Sequence, residues 1–85
     1  MKEFSVTVND TSGIHARPAG SLVKEAVKYD SEIIITSGEK VADAKKIFSV
    51  MKLAAKHGDT LKITVKGVDE EKAALNLKTF FENNL

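Results

Sequence analysis

Phe4, Val6 and Val8 are interleaved with Ser5 and Thr7, the alternation of a strand with one buried face. Asn9-Asp10-Thr11-Ser12-Gly13 is a cluster of turn formers, so a loop follows. From Ala16 the period lengthens. Ala19, Leu22, Val23, Ala26 and Val27 fall on one helix face, and Tyr29-Asp30 is the expected end of that helix. Ile33-Ile34-Ile35, within Glu32 to Thr36, is a β-branched run suited to a strand. Ser37-Gly38-Glu39-Lys40 reads as a turn and Val41-Ala42-Asp43 as a short returning strand. On a second helix Ile47, Val50, Met51, Leu53 and Ala54 form one stripe, and Phe48 falls about 60° beyond its edge. Lys56-His57-Gly58-Asp59 is a turn, with Gly58 as the helix stop. Leu61, Ile63 and Val65 alternate with Lys62, Thr64 and Lys66 as a fourth strand. Asp69 is placed to cap a last helix with Glu70 and Glu71 at its positive end. Ala73, Ala74, Leu77, Phe80, Phe81 and Leu85 are its expected buried face.

The predicted order is therefore βαββαβα, an α+β arrangement. Hairpin connections imply antiparallel pairing, and amphipathic elements of this kind close as one sheet covered on one face by helices. No repeat, linker or low-complexity stretch divides the chain, so residues 1–85 are expected to form one domain.

Composition narrows the chemistry. Eighty-five residues leave little room for both a core and a deep pocket, so chemistry is expected at the surface. A net charge of +1 is too small for a dedicated nucleic-acid binder. The absence of cysteine excludes thiol catalysis and thiolate metal sites. The amino terminus reads directly as a strand, and no segment reaches the ~20 apolar residues of a membrane span. A cytoplasmic protein with no membrane insertion is expected.

The candidate site is His15, at the junction of the polar loop and the first helix. Unpaired N–H groups and the helix dipole favour an anion there. The same field disfavours the imidazolium and leaves one ring nitrogen free for nucleophilic attack. Arg17 offers a guanidinium to phosphate oxygens. Pro18 sits in the first turn, where its missing N–H costs no intrahelical bond. No second titratable group, metal set or glycine-rich nucleotide loop accompanies them, so the group of residues can hold a phosphoryl group and pass it on. On spacing alone, a lone histidine near a helix start is usually a cap or a surface residue, and the spacing by itself favours that reading. His57, in a polar turn, is read as solvated surface.

Gly13-Ile14-His15-Ala16-Arg17-Pro18-Ala19 resembles the active-site signature of the HPr family, the histidine-containing phosphocarriers of the phosphoenolpyruvate-dependent sugar phosphotransferase system. The segment Ala44 to Leu53 is similar to the family's second characteristic stretch, and the resemblance spans the chain. It implies an open-faced β-sandwich, a four-stranded antiparallel sheet with three helices on one face. It also implies the role: enzyme I, charged by phosphoenolpyruvate, phosphorylates His15 at Nδ1, and the phosphohistidine donates to IIA domains of sugar permeases. Such a protein is a stoichiometric intermediate, not a turnover enzyme, and needs no cofactor or metal. Arg17 is implied as the phosphate-stabilising partner, with Ala16 and Pro18 as motif support. Gly20, Lys24, Ile47, Phe48, Ser49 and Met51 are implied as the surface that docks partners, on a protein expected to be monomeric. Ile47 and Met51 fit a core role equally well, whereas Phe48, off the stripe, fits the interface.

Two departures stand out. Many members carry a regulatory serine just before the Ile47-like position; here it is Lys46, which cannot accept phosphate, and Ser49 is a poor substitute. Lys46 with Lys45, Lys52, Lys24 and Arg17 suggests a basic rim favouring acidic partners, although each lysine singly reads equally as solvated surface. Gly20 stands where the family usually has alanine, at a cost on the order of 0.5–1 kcal/mol in a helix interior; closer approach by a partner and neutral drift both fit. The competing functions are an HPr-like regulatory protein acting by binding alone, a paralogue in a nitrogen-linked or dihydroxyacetone-kinase relay, and a ferredoxin-like RNA-binding or acyl-phosphate-handling fold. The last lacks the exposed strand aromatics that RNA stacking needs.

Overall fold

The computed structural model describes residues 1–11, 13–14 and 16–84, without the side chain of Ala16. Ser12, His15 and Leu85 lie outside the described residues. Among these residues the order is β1 (Lys2–Thr7), α1 (Ala16–Ala26), β2 (Glu32–Ser37), β3 (Lys40–Asp43), α2 (Ile47–Lys52), β4 (Thr60–Lys66) and α3 (Glu70–Asn84). The strands form one antiparallel sheet in the order β1-β4-β2-β3. The helices cover one face, giving the expected open-faced α+β sandwich.

Register follows the apolar alternation. Val6 lies opposite Leu61, Phe4 opposite Ile63, and Ile63 in turn opposite Ile35. Leu61, Ile63, Val65 and Ile35 are completely buried, whereas Lys62 and Lys66, at alternate positions of β4, are exposed. Each such aliphatic side chain contributes roughly 1.5–3 kcal/mol on leaving water. A slip by one residue would expose the whole set, so the pattern dictates the pairing. Ala19, Leu22 and Ala26 of α1 pack on this face, as do Ala73, Leu77 and Phe81 of α3. Phe81 meets Phe4 edge-on at 6.4 Å, and Phe80 meets Phe81 at 6.2 Å.

Several local expectations change. Helix α1 ends at Ala26 and not at Tyr29-Asp30; tighter turn bonds, Lys28 N–H to the Glu25 carbonyl and Tyr29 N–H to that of Ala26, unwind its end. Val27 is accordingly exposed. Helix α2 stops at Lys52, well before Gly58, because Ala54 turns to φ 50°. Ala54 is exposed, not core. Ala74 and Phe80 are half-buried, and Leu85 of the expected α3 face is outside the described residues.

Asp69 precedes α3 as expected, and its carbonyl accepts the Ala73 N–H at 2.9 Å. Its carboxylate, however, reaches across to the α1–β2 loop, where it accepts the N–H groups of Asp30 and Ser31, each at 2.9 Å, and the Ser31 hydroxyl. The local reach-back comes from Glu70, whose carboxylate accepts the Gly67 N–H at 3.1 Å. Ser31 is fully buried and packed so closely on Gly67 that a Cβ there would come within 2.6 Å of it. The donated hydrogen bonds, that of the Ser31 hydroxyl foremost, hold the Asp69 carboxyl below its ordinary value.

The sign of the pH effect follows. A depressed carboxyl contributes stability above the unfolded carboxylate value, about 3.9, and loses it as pH falls through the lower folded value. Ser31→Ala is expected to destabilise the fold at neutral pH by removing a donor to the Asp69 carboxylate, with the gap to the parent narrowing in strong acid. Urea unfolding at both pH values measures this, and a gap independent of pH would contradict the assignment.

Candidate functional site

The β1–α1 loop is pinned to the loop that follows α2. Gly13 has φ 69°, and a Cβ at this buried position would run into the Ala55 carbonyl oxygen and approach Lys56 Cα to 3.0 Å. Only glycine meets both conditions. The Gly13 N–H closes a turn on the Asp10 carbonyl at 2.9 Å. Next to it, Ile14 is 6% exposed and donates its N–H to the Ala55 carbonyl at 2.9 Å. The two loops are joined again where the Gly58 N–H meets the Val8 carbonyl at 2.8 Å and the Val8 N–H meets the Asp59 carbonyl at 2.9 Å. The Asp59 carboxylate accepts the Lys56 N–H at 2.8 Å. His57 is exposed, as expected, with Nδ1 3.2 Å from the Asn9 carbonyl oxygen.

His15 lies outside the described residues, as does the side chain of Ala16. Arg17 follows on the first turn of α1, exposed and in no ion pair among the described residues. Pro18 is buried, which anchors that turn without removing an intrahelical bond. Further along α1, Gly20 is half-buried and Lys24 exposed.

Helix α2 packs beside α1. Val50 is fully buried and Ile47 half-buried against the core, while Phe48 is 75% and Met51 36% exposed. The structure thus splits the pair whose role was open: Ile47 is chiefly packing, and Met51 reaches the surface beside Phe48. The half-buried Ser49 hydroxyl accepts the Asp43 N–H at 2.9 Å and ties α2 to β3. Lys46 occupies the N-cap of α2 with extended backbone (φ −124°, ψ 115°) and no side-chain cap. Lys45 does not join the rim in the expected way, because its Nζ holds the Tyr29 carbonyl at 2.6 Å. Lys24, Lys46 and Lys52 are exposed.

Perturbed titrations sit at the other end of α1. The Lys28 ammonium, with the Tyr29 hydroxyl assisting, holds the Glu25 carboxyl below its usual range, and burial pushes the Tyr29 phenol up. No group of three or more His, Cys, Asp or Glu suited to a metal occurs among the described residues. No described helix is long and apolar enough to cross a membrane.

Comparison with known proteins shows the family. The family model "PTS HPr component phosphorylation site" matches residues 2–83. The chain belongs to the HPr family of phosphocarriers. It is 39% identical to phosphocarrier protein HPr of Mycoplasma genitalium over 99% of this chain and 97% of that protein. With the Lysinibacillus sphaericus HPr it shares 44% identity over 93% and 90% of the two chains. The solved Mycoplasma histidine-containing phosphocarrier superposes with TM-score 0.93 at 38% identity, covering 96% of this chain and 93% of that one. An HPr dimer from Thermoanaerobacter tengcongensis gives 0.77 at 35% identity, covering 98% and 95%. Residue-type reasoning missed Ala55, which has no side-chain chemistry of its own and acts through its carbonyl.

Ala54 bears a left-handed backbone that glycine adopts freely and alanine does not. Ala54→Gly is expected to stabilise the fold by about 0.5–1 kcal/mol after glycine's greater unfolded-state entropy is subtracted. Thermal and urea unfolding test this; a destabilised variant would mean that the strain is absent.

Proposed function

We propose that His15 is the phosphorylated residue of this phosphocarrier, accepting the group at Nδ1 from phosphoenolpyruvate-charged enzyme I and donating it to IIA domains of sugar permeases. The observation that carries this is the family match over residues 2–83 with the Gly13–Ala19 signature intact. In each step a nitrogen–phosphorus bond forms or breaks at His15 while the phosphoryl group leaves its donor or joins its acceptor. No water enters, so the protein is a stoichiometric intermediate, not a turnover enzyme. The start of α1 at Ala16 offers N–H groups to the phosphoryl oxygens. Arg17, exposed and without an ion pair among the described residues, supplies the countercharge. Pinning of Gly13 and Ile14 supports the reading, because a relay between successive partners needs its acceptor held in place before either arrives.

Gly20, Lys24, Phe48 and Met51 belong to the proposed docking surface, with Ile47 beneath it and Ser49 serving the fold. Serine-based control is not expected. Lys46 offers no hydroxyl, and Ser49 already accepts a backbone hydrogen bond that a phosphate would break. The carrier is proposed to act in the cytoplasm as a monomer, a point that sedimentation would decide, since solved relatives include dimers of HPr and of Crh.

Incubation with phosphoenolpyruvate and enzyme I is expected to give an acid-labile, alkali-stable phosphate on the wild-type protein and none on His15→Ala. Arg17→Ala should keep the label but slow transfer on the order of tenfold to hundredfold. An unlabelled wild type refutes the proposal.

With ATP and a serine kinase of this family the wild-type protein should remain unlabelled. Lys46→Ser should become labelled and, by capping α2, gain about 1 kcal/mol of stability. Label on wild-type Ser49 would overturn the regulatory reading.

A further inference from the structure

Gly20 is a glycine in the interior of an eleven-residue helix, where alanine would form helix more readily. Nothing within the described fold requires it. A Cβ built there meets a single neighbouring atom within 4 Å, Ile47 Cδ1 at 3.7 Å, which is ordinary van der Waals contact, and Gly20 shows no positive φ. The missing methyl therefore leaves a dent at the crevice between α1 and α2. The surroundings of the dent are apolar and basic. Phe48 (75% exposed) and Met51 (36% exposed) follow Ile47 on α2. Arg17 and Lys24 lie one turn to either side of Gly20 on α1, and Lys52 lies one turn beyond Phe48. The only acidic residue in either helix is Glu25, which is already held by Lys28 and Tyr29. A cationic, apolar rim around a small recess selects a bulky apolar side chain that projects from an acidic protein surface.

We infer that Gly20 is a specificity-determining residue that receives such a side chain from the partner during phosphoryl exchange. This rests on the carrier reading proposed above. Exchange requires the two proteins to approach until phosphorus passes between side chains, and a methyl filling the dent would lift the partner's anchor outward on the same helix that begins beside His15. The glycine is kept at a cost to the helix, and its gain appears only in the complex.

The test separates the two effects by sign. Gly20→Ala is expected to raise the melting temperature by about 2–5 °C. The same variant should lower the second-order rate constant of transfer from phosphorylated enzyme I, or to a IIA domain, by about tenfold, mainly through KM. Gly20→Leu should lower it further. Phe48→Ala should reduce transfer with an unchanged melting temperature, and its effect should add less than fully to that of Gly20→Ala because both remove one anchor. Transfer unchanged in Gly20→Ala overturns the inference, as does a Gly20→Ala variant that is less stable than the parent, since the glycine is then structural. If the wild-type protein takes no label, the carrier reading itself fails, and that result is distinct from either.

Discussion

The carbonyl group of Ala55 is the point on which the site depends. It accepts the Ile14 N–H, and its oxygen occupies the space that a side chain at residue 13 would need. A loop rich in turn formers would otherwise sample many paths into α1, each with the helix start aimed differently. Here one backbone acceptor, a glycine without a Cβ and the buried Ile14 side chain leave it one path. The remaining bonds between the loops, from Val8 to Gly58 and Asp59, extend the edge of the β1–β4 pairing into the same region. The site is thus continuous with the most regular part of the sheet.

The other end of α1 is fastened by different means. Tyr29 is buried, with its hydroxyl donating to Glu25 and accepting from Asn76 of α3, and its carbonyl held by Lys45. Beyond it, the Asp69 carboxylate gathers the Asp30 and Ser31 donors. Among the described residues, the charged and polar groups whose titration is shifted, Glu25, Tyr29, Asp69 and Glu70, are gathered at this structural end. Perturbed titration here marks folding contacts, since its causes are burial and hydrogen bonds between the elements of the fold.

How much of this was legible in the residues depended on distance along the chain. Leu61, Ile63 and Val65, or Ala19, Leu22 and Ala26, declare their faces by local period, and each proved fully buried. Phe48 was placed outside by the same arithmetic and is exposed. The signature around His15 was legible as a family resemblance, which spacing alone did not supply. Contacts that join distant segments were not legible. Gly13 read as one turn former among several because its constraint is the Ala55 carbonyl. Asp69 read as a helix cap because a carboxylate before a helix usually is one, yet its partners are Asp30 and Ser31. Helix α2 was read too long because Ala54 carries no glycine-like signal of a left-handed turn.

The sheet order has a further bearing on self-association. With β1 and β3 outermost, each leaves one row of backbone groups without a strand partner, the place where a second copy of the chain would add a strand. β3 is only four residues long and carries Lys40 at one end and Asp43 at the other. β1 is longer and opens with Lys2 and Glu3. Charge at a short edge opposes strand addition. Opposition to strand addition is therefore carried by the same strands that frame the core.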